Sequence, residues 1–179
     1  MSEEKKRYRW DSIIDRFDKN ATLKGAEIGV FKGRLSRQLL SAMPNLTLYM
    51  VDRWATYNDD ERSENPNSKI LNYTMTVWRK IRKRAFRIAA NFSPRAIVIK
   101  KHSRRAVRSF EDGQLDFVFI DADHAYQAVK YDIQLWMPKI KKGGYICGHD
   151  YTRQGVKKAV DEIFSNVELD ADRTWFVKV

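Results

Sequence analysis

Leu115-Asp116-Phe117-Val118-Phe119-Ile120, running into Asp121-Ala122-Asp123-His124, is the stretch that decides the fold. Its apolar residues are nearly continuous and mostly aromatic or β-branched. That pattern predicts a strand buried on both faces, as in the centre of a parallel sheet. On its N-terminal side, Ala26-Glu27-Ile28-Gly29-Val30 reads as a short strand, followed by Phe31-Lys32-Gly33 and a helix with Leu35, Leu39 and Leu40 on one face. Residues 46–51 form the next strand, ending at Asp52, and Ile97-Val98-Ile99 forms another. On its C-terminal side come a helix over 126–137, a turn at Gly143-Gly144, a strand Tyr145-Ile146-Cys147-Gly148 that ends at His149-Asp150, and a helix over 155–164. Val167-Glu168-Leu169 and Trp175-Phe176-Val177 can close the chain as a hairpin.

Three more helices fill the gaps. Trp10, Ile13, Ile14 and Phe17 recur at helical spacing over 7–18. Val77, Trp78, Ile81, Ala85, Ile88 and Ala89 make a core-facing stripe, and a short helix covers 104–110. Residues 53–68 are polar, with Trp54 and Tyr57 near their start, and read as a long loop. Alternating strands and helices imply an α/β fold, a mostly parallel central sheet with helices on both faces and a C-terminal antiparallel hairpin.

The chain has 179 residues, which predicts a single domain over 1–179, with an N-terminal helix in 1–20 and a lid or substrate region in 53–75. With 43% hydrophobic residues it can bury one sizeable core, which excludes a disordered chain. No stretch approaches the roughly 18–20 apolar residues of a membrane span, and the charged start, Met1-Ser2-Glu3-Glu4-Lys5-Lys6-Arg7, is unlike a signal peptide. The single cysteine, Cys147, reads as a small core residue and fits a reducing, cytoplasmic setting. Net charge is +11, and residues 65–110 hold thirteen basic residues and no acidic one. The basicity therefore belongs to one block, which points to an anionic or phosphorylated partner or to nucleic acid.

In open parallel sheets ligands bind at the carboxyl ends of the strands. Polar or glycine chemistry follows strand after strand at that edge: Gly29 and Gly33, Asp52, Ser103, Asp121 with Asp123 and His124, then His149 with Asp150. A dinucleotide site prefers G-x-G-x-x-G, whose middle glycine admits a pyrophosphate. Here Phe31 stands in that place, so the turn suits a nucleoside without phosphate. Glu27 offers a carboxylate to a cation, and Asp52 can accept two hydrogen bonds from ribose hydroxyls. S-adenosylmethionine has an ammonium, a sulfonium, a ribose and no phosphate.

The runs Glu27-Ile28-Gly29-Val30-Phe31-Lys32-Gly33, Tyr49-Met50-Val51-Asp52, Phe117-Val118-Phe119-Ile120-Asp121-Ala122-Asp123-His124-Ala125-Tyr126 and Gly143-Gly144-Tyr145-Ile146-Cys147-Gly148-His149-Asp150-Tyr151 resemble class I S-adenosylmethionine-dependent methyltransferases. The likeness covers about residues 20–165. It is greatest to the small-molecule O-methyltransferase branch, which includes the catechol and caffeoyl-CoA enzymes, and within it to sugar- and antibiotic-tailoring members. The resemblance implies a Rossmann-like sandwich. It implies that Glu27 and Gly29 hold the methionine end of the cofactor, that Gly33 is also cofactor-binding, that Asp52 binds ribose, that Trp54 or Ser103 touches adenine, and that Asp121 lies near the methyl group. In the metal-dependent branch, the positions of Asp121, His149 and Asp150 bind a divalent ion (magnesium, manganese or zinc). A histidine at 149 departs from that branch's usual carboxylate and suits magnesium poorly.

Methyl transfer needs an aligned nucleophile and a place for its proton. His149 can be the base, oriented by Asp150 or Asp121, or the three can hold a metal that acidifies the hydroxyl. His124 reads as a structural neighbour, His102 as a surface residue, and the Trp78 stripe as core. The expected activity is O-methylation of a small hydroxylated acceptor such as a sugar or glycoconjugate. One alternative is an RNA, DNA or nucleotide methyltransferase that uses the basic 69–108 face, although no N-P-P-Y or D-P-P-Y run is present. Another is a non-enzymatic nucleoside-binding module.

Overall fold

The computed structural model describes residues 6–56 and 69–179. The strands are β1 (Leu23–Ile28), β2 (Leu46–Asp52), β3 (Ala96–Lys100), β4 (Leu115–Ile120), β5 (Ile140–Gly148), β6 (Glu168–Asp170) and β7 (Thr174–Lys178). They form one seven-stranded sheet in the order β3-β2-β1-β4-β5-β7-β6. The first five are parallel, and β7 runs antiparallel to both β5 and β6. The expected α/β architecture and C-terminal hairpin are both present.

The alternation along β4 explains the two-sided core. Phe117 and Phe119 face a cluster with Ile13, Leu39, Met50, Trp78 and Phe176, whereas Val118 and Ile120 face one with Ile28, Ile133, Trp136 and Trp175. Burying a side chain of this size stabilises by roughly 1.5–3 kcal/mol, so no face of β4 is free to meet water. Cys147 is buried in the first cluster, and its thiol donates to the Val118 carbonyl at 3.3 Å. Burial pushes that thiol's pKa up.

Several boundaries differ from expectation. The first helix is shorter, Arg9–Ile14, because residues beyond its Asp15 cap turn to meet the C-terminal hairpin. There Arg16 pairs with Asp170 at 2.8 Å and Glu168 at 3.3 Å, and its guanidinium lies 3.5 Å from the Phe176 ring centre. The expected turn at Gly143-Gly144 lies inside β5. A Cβ on Gly144 would sit 2.5 Å from the Asp116 carbonyl oxygen, so its absence lets the strands meet through a register irregularity. The 104–110 helix is Ser103–Ala106 followed by a 3-10 turn, with the His102 side chain accepting from the Arg104 amide. In the helix Met75–Asn91 the inward stripe is Trp78, Ile81, Ala85 and Ala89, and Val77 is exposed. Residues 57–68 of the expected lid lie outside the described residues. Its end is a short 3-10 helix, Lys69–Asn72. No helix among the described residues is long and apolar enough to cross a membrane.

Candidate functional site

The carboxyl ends of β1, β2 and β4 open into a cleft of about 600 Å³. Its lining includes Glu27, Gly29, Asp52, Ser103 and Asp121, together with Arg9 and Trp10 from the N-terminal helix and His124 after β4. The parallel register sets this convergence: Ile28 pairs with Val51 on one side and Ile120 on the other. The chain leaves all three strands at the same level.

At the β1 turn, Gly29 has φ +94°, and a Cβ there would lie 2.2 Å from the Asp121 carbonyl oxygen. The Gly29 amide donates to Val51 O at 2.9 Å, and the Asp121 amide to Ile28 O at 2.8 Å. The turn is thus wedged between its neighbours with room for hydrogen alone. Gly33 (φ +73°) begins the helix Arg34–Ala42. Glu27 is buried beneath the turn and accepts from the Ser36 hydroxyl. Burial pushes its carboxyl up to about 8, against the pull of that hydrogen bond.

Asp52 spans the turns after β1 and β2. One carboxylate oxygen accepts from the Phe31 amide at 2.8 Å and the other from the Trp54 amide at 2.7 Å. Burial raises its pKa, and these amide bonds oppose the rise. Trp54 is buried rather than in the cleft lining. Its indole N–H donates to the Phe31 carbonyl at 2.9 Å and its ring meets Phe86 edge-on. Phe31, at φ +51°, is therefore held at both ends of its peptide backbone. Ser103 lines the cleft, but its hydroxyl donates to Asp132 at 2.6 Å and accepts from the Trp136 indole at 2.8 Å. Burial lifts Asp132 to about 6, although the Ser103 bond pulls it down.

The rim beyond Asp121 is an imidazole–carboxylate cluster. His124 Nε2 lies 3.0 Å from Asp150 and 3.9 Å from Asp121. His149 Nδ1 lies 3.2 Å from Asp150 and 3.8 Å from Asp121, and its Nε2 is 3.5 Å from Asp172. Burial alone would discharge His124, yet Asp121 and Asp150 lift its pKa to about 9. Burial alone would raise Asp150, yet the two imidazoles hold it well below the usual carboxylate range. Arg9 pairs with Asp121 and reaches Asp172 at 3.3 Å, while Arg173 and Arg153 reach Asp150 at 2.9 and 3.1 Å.

His149 is buried behind the cleft, whereas His124 lines it. Asp121, His124 and Asp150 are the group whose ligand atoms all lie within 4.8 Å of one another, so His124 takes the place expected of His149 in a metal-ligating trio. The donor set suits manganese or zinc better than magnesium. His124 Nε2 and Asp150 Oδ1 are buried without a well-directed hydrogen bond, as an ion's ligands would be. Against that fit, three arginines already offset Asp121, Asp150 and Asp172, so an ion would have to displace Arg9 from Asp121. Arg9 and Asp172 carry no motif that marks them in the sequence. Asp172 sits at φ +56°, a conformation aspartate tolerates better than most residues.

A family model described as a methyltransferase domain matches residues 26–151. An uncharacterised protein of Acanthamoeba polyphaga mimivirus is 38% identical over 58 residues, 30% of this chain, and the match spans about a quarter (26%) of that relative's length. Among solved structures, one described as a caffeoyl-CoA O-methyltransferase from Staphylococcus aureus superposes with a TM-score of 0.65 at 19% identity, covering 98% of this chain and 85% of its own. CalS11, a calicheamicin methyltransferase, gives 0.69 at 13%, covering 94% and 76%. The O-methyltransferase NovP gives 0.59 at 19%, covering 87% and 71%. At such identities these structures share the fold.

Proposed function

The chain belongs to this methyltransferase-domain family, and from that premise we propose that it transfers a methyl group from S-adenosylmethionine to a hydroxyl of a small acceptor, a sugar or glycoconjugate. The observation that carries the reading is a cleft floored by buried Glu27 and half-buried Asp52 and opening directly on the Asp121–His124 rim. O-methyltransferases among the solved neighbours support the reaction type. The single domain, with acceptor choice set by the segments 1–20 and 53–75, and a cytoplasmic setting for its buried thiol belong to the same proposal.

The cleft fits the cofactor: its volume suits a nucleoside-sized ligand, and Phe31 occupies the place where a phosphate would need glycine. When bound, S-adenosylmethionine supplies an electrophilic methyl carbon on a sulfonium. Glu27 and the bare backbone at Gly29 hold the amino-acid end, Gly33 acts from outside the lining by starting the helix Arg34–Ala42 beside the cleft, and Asp52 takes the ribose hydroxyls with the lone pairs its two amide bonds leave. Trp54 acts on the pocket through the Phe31 carbonyl, and Ser103 borders the adenine. At the rim, the neutral form of His124 takes the acceptor's proton, with Asp121 and Asp150 orienting the ring and His149 holding Asp150; because those carboxylates lift the His124 pKa to about 9, this form and the turnover it supports grow as pH rises toward 9. If an ion binds instead, Asp121, His124 and Asp150 hold it, and it lowers the hydroxyl's pKa.

Two experiments test these roles. Asp52→Ala strips two backbone amides of their acceptor. It is expected to lower Tm by roughly 5 °C and to weaken S-adenosylhomocysteine binding at least about tenfold in calorimetry. Unchanged affinity removes the ribose role. His124→Ala is expected to lose about a hundredfold or more in turnover while keeping cofactor affinity, with His149→Ala losing less, and chelator leaving the wild type unaffected. Activity abolished by chelator and restored by manganese or zinc replaces the base with an ion.

A further inference from the structure

Beside the cofactor cleft lies a second groove of about 500 Å³, lined by Arg34, Arg37, Arg84, Arg87, Ile88 and Asn91. Arg34 and Arg37 stand three apart on the helix Arg34–Ala42, and Arg84 and Arg87 three apart on Met75–Asn91, so each pair shares a helix face. The helices come together at Gly33, where a Cβ would lie 3.1 Å from Ile88 Cδ1 and 3.4 Å from Ala85 Cα. Packing at that turn gathers four guanidiniums over an Ile88–Asn91 floor.

Several arginines elsewhere are satisfied by the fold. Arg9, Arg16, Arg153 and Arg173 meet carboxylates, and Arg95 donates to the carbonyls of Leu40, Met43 and Leu46. The four groove arginines are exposed and, among the described residues, none forms an ion pair. Crowded like charge is unfavourable until an anion enters, and guanidinium forks match phosphate oxygens in pairs. Arg34 belongs to both cavities, and its guanidinium lies over the rings of Tyr8 and Trp10 in the cleft mouth, at 5.7 and 4.9 Å. An anion in the groove is therefore tethered to the cleft opening. Two facing pairs of forks suit a diphosphate better than one carboxylate.

We propose that this groove binds the phosphate groups of the acceptor, a sugar carrying a phosphate or diphosphate, with Arg37, Arg84 and Arg87 as the clamp and Arg34 as the post shared with the cofactor cleft. The acceptor's identity rests on the sugar reading above; the phosphate contact does not. Calorimetry of the full chain with inorganic pyrophosphate at constant ionic strength is expected to show binding that the Arg37→Ala/Arg87→Ala variant weakens about tenfold or more. The Arg105→Ala/Arg108→Ala variant removes equal charge from outside both cavities and is expected to change it by about twofold at most. S-adenosylhomocysteine affinity stays level in both. Absent pyrophosphate binding, or equal loss in the two variants, overturns the groove. In turnover assays with a sugar phosphate, a nucleotide-diphosphate sugar and a plain sugar, KM for the phosphorylated acceptors alone rises in Arg37→Ala/Arg87→Ala, and the lower KM of the two identifies the phosphate's source. Pyrophosphate binding intact but no turnover on any sugar supports the groove and overturns the acceptor reading. A short single-stranded RNA that binds more tightly than pyrophosphate, and that both variants weaken equally, overturns the compact phosphate site in favour of a nucleic-acid surface.

Discussion

Gly29→Ala is expected to lower Tm by roughly 10 °C and to abolish measurable S-adenosylhomocysteine binding. Two penalties coincide at this residue. Its φ of +94° is one that alanine adopts only under strain, and the added Cβ would stand 2.2 Å from the Asp121 carbonyl oxygen. The overlapping atom is backbone, so no rotamer change relieves it. The β1 turn and the β4 end must separate, which disturbs the Gly29–Val51 and Asp121–Ile28 hydrogen bonds and carries Asp121 away from the cleft. A loss of about 3 kcal/mol or more belongs to this class of backbone conflict. Differential scanning calorimetry reads the melting shift, and a variant melting within about 2 °C of wild type would show that the turn relaxes cheaply.

Glu27→Gln is expected to cost about ten- to a hundredfold in cofactor affinity with little loss of fold. Glu27 is buried and its carboxyl is pushed up to about 8, so near neutral pH it is largely protonated before the ligand arrives. A ligand ammonium draws it into the charged form. Binding at pH 7 should then release about one proton, measurable from the dependence of calorimetric heat on buffer ionisation enthalpy. The Gln variant should release none from this position. The same shift sets the sign of stability against pH. A carboxyl whose folded pKa lies above its ordinary value of 4.5 binds more protons folded than unfolded between there and about 8. Its contribution to stability therefore falls as pH rises across that window, by a few kcal/mol at most, and levels off above it. Glu27→Gln should flatten this slope in the unliganded protein. Equal proton release by wild type and variant would remove Glu27 from the binding event.

The sheet was legible because its signals are local. The nearly continuous apolar run of β4 and the polar residues after β1, β2 and β4 predict both the architecture and the edge where the cleft opens. Glu27, Gly29, Asp52 and Asp121 converge there because parallel register aligns strand ends. What sequence could not supply was orientation. His124 and His149 each follow a strand end, and nothing local says which ring meets the cleft and which is buried behind it. Trp54 and Ser103 have the right neighbourhood, yet their hydrogen-bonding groups bind the Phe31 carbonyl and Asp132. Arg9 and Asp172 lie 163 residues apart and meet only through tertiary packing. The Gly143-Gly144 pair looks like a turn by composition, but tight approach of β4 and β5 uses the missing side chains instead.

The ion pairs that run from Arg7, Arg9 and Arg16 to Glu168, Asp170 and Asp172 join the first helix and the residues on either side of it to the last hairpin. For protein engineering this makes the two ends one exchangeable cassette. A chimera that borrows a new leading segment to change selectivity would bring in side chains without their matching anions, unless the closing hairpin travels with it.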